Sequence, residues 1–361
     1  MKIDYLIVGQ GIAGTILSYN LLKAGKSVRV IENDKRISSS RVAAGIFNPI
    51  TGRKMVKTWC ADWLFPALHE FYPEFEAFTG EKFFHPQDMF VPFDSQEKQN
   101  TWMANSAEDE YATYIKGFSK TLYKNELNAE FGGMIITGSG YVDIPLMLDS
   151  YRTKIDAQGF FVNDEFDFNE LKLTDDGVEW KGIEAEKIIF CDGVGSSSNN
   201  PFFNWLAFRP VKGELLRVKF EKNVFEHGIN RGCWILPQPD GTCKVGATYN
   251  NRELNHEVTE EARNTLLEKM EQLTHLPYQV LDQLTGIRPA TYDRRPFLGL
   301  HPIYNQLAVF NGLGAKGISL APYFAKHFTE VLLTGKPLLG LVDISRVIRK
   351  YNIKNDVLTK L

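Results

Sequence analysis

The first 32 residues leave the chain little freedom. Ile3 to Val8 is an apolar strand, Ile-Asp-Tyr-Leu-Ile-Val, and Gly9-Gln10-Gly11-Ile12-Ala13-Gly14 follows without a break. Ile16, Leu17, Leu21 and Ala24 then recur at helical spacing, Gly25 stops the pattern, and Ser27 to Ile31 forms a second apolar strand ending on Glu32. Strand, G-x-G-x-x-G, helix, strand and acid form a right-handed βαβ unit with a phosphate-binding turn. Gly9 permits the tight turn, Gly11 lets a pyrophosphate approach the backbone, and Gly14 lets helix and strand pack closely. The helix start presents free N–H groups and partial positive charge to an anion. Glu32 suits a ribose diol and repels a 2′-phosphate. The motif specifies a dinucleotide and leaves NAD and FAD open.

The rest of the composition narrows the class. A chain of 361 residues favours two domains over one. With 41 Lys and Arg against 44 Asp and Glu, the net charge of −3 argues against a generic nucleic-acid binder. No apolar run approaches a membrane span, and a strand starting at Ile3 leaves no room for a signal peptide, so a cytoplasmic protein is expected. Cys60, Cys191, Cys233 and Cys243 form no C-x-x-C pair and read as reduced thiols. The seven histidines have no metal-binding spacing, so no metal is expected.

Further along, residues 56 to 80 read as an aromatic-rich helix, Gln96 to Asn105 as a polar helix, and Val142 to Gln158 as a helix entered through Pro145. Asp175-Asp176-Gly177 marks a hairpin. Ala185 to Cys191 is a buried strand entering the Asp192-Gly193 turn. Residues 211 to 250 read as antiparallel strands, with a hairpin at Pro239-Asp240-Gly241. Thr259 caps a helix, Gly286 to Pro289 begins a loop, and Gln306 to Phe310 is a strand. The turn Asn311-Gly312-Leu313-Gly314-Ala315-Lys316-Gly317 opens a final long helix, Ile318 to Leu333.

Five segments together resemble the D-amino-acid oxidase superfamily of FAD-dependent oxidoreductases, nearest its glycine oxidase and sarcosine oxidase branch. They are the fingerprint through Glu32, Ser40 to Pro49, Glu186 to Ser196, Cys233 to Thr248, and Gly286-Ile287-Arg288-Pro289-Ala290-Thr291-Tyr292-Asp293-Arg294-Arg295-Pro296-Phe297-Leu298-Gly299, closed by Asn311 to Pro322. The resemblance implies an α/β plus α+β fold. A discontinuous Rossmann-like FAD-binding domain (1–82, 137–210 and 286–361) would carry an inserted antiparallel-sheet substrate domain (83–136 and 211–285). It implies cofactor contacts at Gly9, Gly11, Ile12, Ala13, Gly14, Glu32 and Asn33; at Ser40, Arg41, Ala44, Gly45 and Ile46; at Cys191, Asp192 and Gly193; and at Gly312, Gly314, Ala315, Lys316, Gly317 and Ile318. No cysteine stands near Ala290 to tether the flavin, so FAD is expected to be non-covalent.

In such enzymes the flavin takes a hydride from the carbon beside an amine, the imine is hydrolysed, and oxygen reoxidises the flavin. No Ser-His-Asp constellation is needed. Three residues are expected at the reacting centre. Arg288 offers a planar fork for a substrate carboxylate; its structural alternative is an ion pair with Asp293 or Glu214. Lys244 matches a position where sarcosine oxidases carry a lysine near the flavin, where a cation would favour electron transfer to oxygen. Strand alternation places it on a face with Gly246, and which face meets the flavin stays open. Trp234 replaces a tyrosine of glycine oxidases, and Ala315 replaces their second arginine, which implies a bulkier donor than glycine. Arg53, Lys54 and Lys57 offer charge for an extra acidic group or form a solvated face. The expected partner is a small amine or amino acid. A same-fold dehydrogenase using a quinone or protein acceptor, a tRNA-modifying flavin domain, and a non-catalytic flavin protein remain as alternatives.

Overall fold

The computed structural model describes residues 2–34, 37–51 and 55–358. The fingerprint strand Ile3–Val8 lies inside an eight-stranded sheet, paired in parallel with Val28–Glu32 on one side and Ile183–Phe190 on the other. Phe161–Asn163 extends one edge in parallel, and Leu307–Asn311 runs parallel to the end of Ile183–Phe190. Parallel strands are covered on both faces, and Leu6, Ile7, Ile188 and Ile189 are fully buried. One face packs on the helices Ile12–Lys23, Ala61–Thr79, Ile144–Ala157 and Gly317–Thr334. The other closes over Trp180, Phe190 and Phe203. The hairpin at Asp175-Asp176-Gly177 joins Leu171–Thr174 to Gly177–Trp180.

A second eight-stranded sheet runs in the spatial order Tyr278–Arg288, Val211–Phe220, Cys243–Gly246, Cys233–Pro237, Gly228–Arg231, Met89–Pro92, Gly133–Ile136 and Ile115–Ser119. Side chains alternate faces along a strand. Leu216, Val218 and Val245 pack with Leu266 and Met270 of the helix Glu260–Glu271. Leu215, Leu236, Trp234 and Leu284 face Ala44 and Tyr141, toward the nucleotide-binding half. That second face positions the site.

The structure departs from the sequence reading in three places. Gly286 to Arg288 is not a loop: it completes the Tyr278–Arg288 strand, with Gly286 opposite Gly213, and the ladder stops at Pro289, which has no N–H to give. The aromatic helix starts only at Ala61, because Val56–Lys57 pairs with Ile50–Thr51. The second sheet is not wholly antiparallel: Gly228–Arg231 runs parallel to Met89–Pro92, two segments far apart in sequence that no hairpin joins. The final long helix is found as Gly317–Thr334, and the short helix Ser345–Tyr351 after it buries Val347 among the aromatic residues behind the first sheet.

Candidate active site

At the head of the helix Ile12–Lys23, Gly9 holds φ +102°, and a Cβ there would lie 2.6 Å from the Cys191 carbonyl oxygen. A Cβ on Gly14 would lie 1.9 Å from the Gly9 carbonyl oxygen, so the turn and helix pack backbone to backbone. The Ile12 N–H donates to Ser40 Oγ at 3.2 Å. The Gln10 N–H donates to Glu32 Oε2 at 2.9 Å, which fixes the carboxylate at the end of its strand.

A cavity of about 220 Å³ runs along this surface. It is lined by Gly9, Gly11, Ile12, Ala13, Glu32, Ser40, Ala44, Gly45 and Ile46, by Cys191, Asp192 and Gly193, and by Gly314, Ala315, Gly317 and Ile318. Gly312 and Lys316 line a larger adjoining cavity of about 2410 Å³. Three expected cofactor residues line neither among the described residues. Gly14 lies under the turn, Arg41 pairs with Asp149 at 2.5 Å, and the Asn33 N–H donates to Glu32 Oε1 at 3.2 Å. Arg53 and Lys54 lie outside the described residues.

The two cavities meet where Ile46, Trp234, Ala247, Tyr249, Arg288 and Ala315 line both. Register explains how the second sheet delivers these side chains. Gly213 pairs with Gly286, two residues before Arg288 on the neighbouring strand, so Arg288 lies diagonally over Gly213. A Cβ on Gly213 would lie 2.0 Å from Nη2 of Arg288. Gly213 is therefore the slot for the guanidinium. The guanidinium carbon sits 4.4 Å from the Tyr249 ring centroid, and Nη1 donates to the Thr248 carbonyl oxygen at 3.2 Å. Burial lowers the pKa of Arg288 from its usual value, with Tyr249 acting in the other direction. Trp234 uses the same device, since it pairs with Gly246 and its indole occupies the space a Cβ there would take.

Neither carboxylate that could have neutralised Arg288 does so. Asp293 pairs with Arg346 Nε at 3.0 Å. Glu214 accepts from Thr259 and Gln283 and stands 3.7 Å from Lys212. Among the described residues Arg288 has no acidic partner.

Lys244 pairs with Leu236, so it shares the face that looks toward Ala44 and Tyr141. It lines neither cavity. Burial lowers its pKa, opposed by Asp143 and Asp240 and reinforced by Arg217. Among the lysines that line the larger cavity is Lys316, brought to about 8 by burial and by the charge of Arg294.

Sequence reasoning missed Gly213, Tyr249 and Asn311. Asn311 Nδ2 donates to Asp192 Oδ1 at 3.0 Å and to the Gly193 carbonyl at 2.9 Å, while its Oδ1 accepts from Gly312 N–H at 2.7 Å. It ties the two glycine turns together. Its signal was its place at the end of a buried strand before a glycine. The signal for Gly213 is visible only once the strand register is known.

The glycine turn, packed so closely that a Cβ on Gly9 or Gly14 would strike backbone, the anchored Glu32 carboxylate and the helix start lining the cavity fit a dinucleotide with a ribose diol. A dinucleotide-type cleft joined to a larger cavity is the layout of a dinucleotide-dependent oxidoreductase. The model of the DAO family, FAD dependent oxidoreductase, matches residues 4–331, and the chain belongs to that family. Its cofactor is FAD.

The chain is 23% identical over 356 residues to the tRNA 5-methylaminomethyl-2-thiouridine biosynthesis bifunctional protein MnmC of Marinobacter nauticus, covering 90% of this chain and 54% of that one. It thus spans about half the length of that relative and of a second bifunctional one. It is 24% identical over 366 residues to glycine oxidase of Bacillus licheniformis, covering 93% of this chain and 94% of that one. The fold matches the crystal structure of glycine oxidase from Geobacillus kaustophilus with a TM-score of 0.76 at 20% identity, covering 93% of this chain and 96% of that chain. No helix of the described residues is long and apolar enough to cross a membrane.

Proposed function

We propose that this chain oxidises the C–N bond of an amino acid or a carboxylate-bearing secondary amine. One observation carries the reading: at the junction of the two cavities, Arg288 is held by Gly213, Tyr249 and Thr248 with no acidic partner among the described residues. A guanidinium so placed is a ready fork for a carboxylate. Residues along Gly9 to Glu32 and Gly312 to Ile318 would hold FAD non-covalently, and FAD when bound would supply the hydride acceptor. Arg288 fixes one end of the substrate, and Trp234 and Ile46 form apolar walls beside the reacting carbon. Excluding water there keeps the carbon in line and the hydride from being lost. The imine product would be hydrolysed by water, with oxygen as the expected final electron acceptor. The segments 83–136 and 211–285 act as the substrate domain, with the strand that bears Arg288 running three residues beyond it. The test is turnover of carboxylate-bearing amines under air with peroxide read out. Peroxide formed in step with amine consumption supports an oxidase; amine consumption that requires an added quinone assigns the same-fold dehydrogenase.

A second reading has one observation in its favour. The larger cavity reaches outward to Lys120, Lys124 and Lys269, and the Marinobacter relative is named for tRNA modification. In that reading the amine is carried on tRNA, and a salt-dependent shift of tRNA by the holoprotein is the expected result.

A further inference from the structure

Behind the Glu32 end of the nucleotide cleft, one guanidinium joins two turns. Gln10 is the middle residue of Gly9-Gln10-Gly11, a position that the fingerprint leaves open. Its side chain is buried rather than solvated, at 2% exposure. The amide is held at both ends: Nε2 donates to the Leu148 carbonyl oxygen at 2.9 Å, and Oε1 accepts from Arg152 Nε at 2.7 Å. Leu148 and Arg152 stand one turn apart on the helix Ile144–Ala157, so a single helix face supplies both contacts. The backbone N–H of the same Gln10 donates to Glu32 Oε2 at 2.9 Å.

The other arm of the guanidinium reaches the acid's own turn. Arg152 Nη1 pairs with Asp34, two residues after Glu32. Asp34 is fastened again from the strand Phe161–Asn163, where Asn163 Nδ2 donates to its Oδ2 at 2.6 Å. The guanidinium carbon lies 4.6 Å from the Phe161 ring centroid, so the same strand also sets its position. Burial lowers the pKa of Arg152, opposed by the charges of Glu32 and Asp156. Gln10, Asp34 and Arg152 line neither cavity, whereas Glu32 lines the nucleotide cleft. A carboxylate that accepts from a ribose hydroxyl needs a fixed direction, because a hydrogen bond weakens steeply with angle. Backbone N–H groups of Gln10 and Asn33 aim Glu32, and both belong to turns that Arg152 braces.

We infer that Arg152 is a positioning residue for the cofactor: through Gln10 and Asp34 it holds Glu32 in the direction that receives the 2′-hydroxyl of the adenosine ribose. This rests on the reading of Glu32 as the ribose ligand given above. The fingerprint supplies the acid, and a helix far along the chain aims it. Because Arg152 lines neither cavity, its loss should be felt at that one hydroxyl and not at the phosphates.

The test uses the holoprotein, with ADP and 2′-deoxyADP competing for the nucleotide cleft and displaced FAD read by its fluorescence. The two competitors differ only in the hydroxyl at issue, and their ratio does not depend on how tightly FAD itself is held. A hydrogen bond to a charged group is worth about tenfold or more, so ADP should compete at least about tenfold more strongly than 2′-deoxyADP in the wild-type chain. Arg152→Met should bring that ratio toward one. Gln10→Met, which keeps the buried volume and removes the amide link, should lower it in the same direction with Arg152 in place. In Glu32→Gln the carboxylate is already gone, and adding Arg152→Met should leave the ratio as it is. A ratio kept at its wild-type value in Arg152→Met, with both nucleotides weakened alike, overturns the inference and leaves Glu32 as the ribose ligand. Should Arg152→Met be purified unfolded or without FAD, Gln10→Met decides: a lowered ratio supports the inference and an unchanged one overturns it. Equal competition by the two nucleotides in the wild-type chain overturns the reading of Glu32, and the inference with it.

Discussion

Gly213 should control the carboxylate fork from beneath. In Gly213→Ala, the new Cβ would lie 2.0 Å from Nη2 and 2.3 Å from Cζ and Nη1 of Arg288. Non-bonded heavy atoms rest about 3.5 Å apart, so the guanidinium must move by roughly 1.5 Å. That displacement breaks its bond to Thr248 and shifts it off the Tyr249 ring. A misplacement of about 1 Å can cost on the order of 100-fold in rate, and each charge-assisted hydrogen bond contributes about 1.5–3 kcal/mol. A fall of roughly 30- to 300-fold in kcat/KM toward a carboxylate-bearing amine is therefore expected. The fold should not suffer, because the nearest atoms belong to the end of a flexible side chain and alanine is at home in a strand interior where glycine is weak. The assay compares an amino acid with the amine that lacks its carboxylate, alongside FAD content and Tm. The effect should fall on the amino acid alone. An unchanged ratio of the two kcat/KM values in a folded, FAD-loaded Gly213→Ala protein would refute the argument that Gly213 positions Arg288 for a carboxylate.

Other positions give independent checks. Gly14→Ala puts a methyl 1.9 Å from the Gly9 carbonyl oxygen and should abolish FAD retention, seen as a colourless protein; a fully yellow preparation would contradict the packing. Glu76 is buried, and its carboxylate accepts from Phe83 and Phe84 N–H at 2.7 Å each and from Lys82 at 2.8 Å. Burial alone would raise its pKa, but these bonds bring it below the usual value, so its contribution is present above the unfolded pKa and lost as pH falls through the folded one. Glu76→Gln should cost about 2–3 kcal/mol in denaturant unfolding near neutrality, and a cost under about 0.5 kcal/mol would contradict this. Burial lowers the pKa of His301 to about 4, so folding favours its neutral form. Its contribution is whole above about pH 6.5 and is withdrawn as pH falls from there toward 4, by about 3 kcal/mol in all. His301→Gln should flatten that part of the stability profile; an unaltered slope would contradict it.

Much of this was legible in the sequence because it rests on local rules. The fingerprint names its own strand, helix and acid, and the glycine positions that the turn demands are those where a Cβ would strike backbone. The hairpin at Asp175-Asp176-Gly177 and the Thr259 cap follow from turn and capping chemistry within a few residues. What stayed hidden depends on pairing between distant segments. The loop reading at Gly286 failed because two glycines face each other across a ladder, and a glycine read alone signals a turn. The slot for Arg288 exists only once residue 213 is placed beside residue 286. The partners expected for Arg288 were taken by Arg346, more than fifty residues later, and by Thr259 and Gln283. Lys244 drew attention by its motif, whereas the geometry brings Lys316 to the cavity, because its turn follows a buried strand whose end opens there.

The central claim is that Arg288 receives the carboxylate of an amine that reduces the flavin. The direct test is anaerobic mixing of the oxidised holoprotein with amino acids and N-substituted amino acids, each beside the amine lacking the carboxylate, with flavin bleaching followed in time. At least one carboxylate-bearing amine should bleach the flavin rapidly while its counterpart does not, and Arg288→Lys should abolish the difference with FAD still bound. Bleaching that is indifferent to the carboxylate, or no bleaching by any amino acid, would contradict the account.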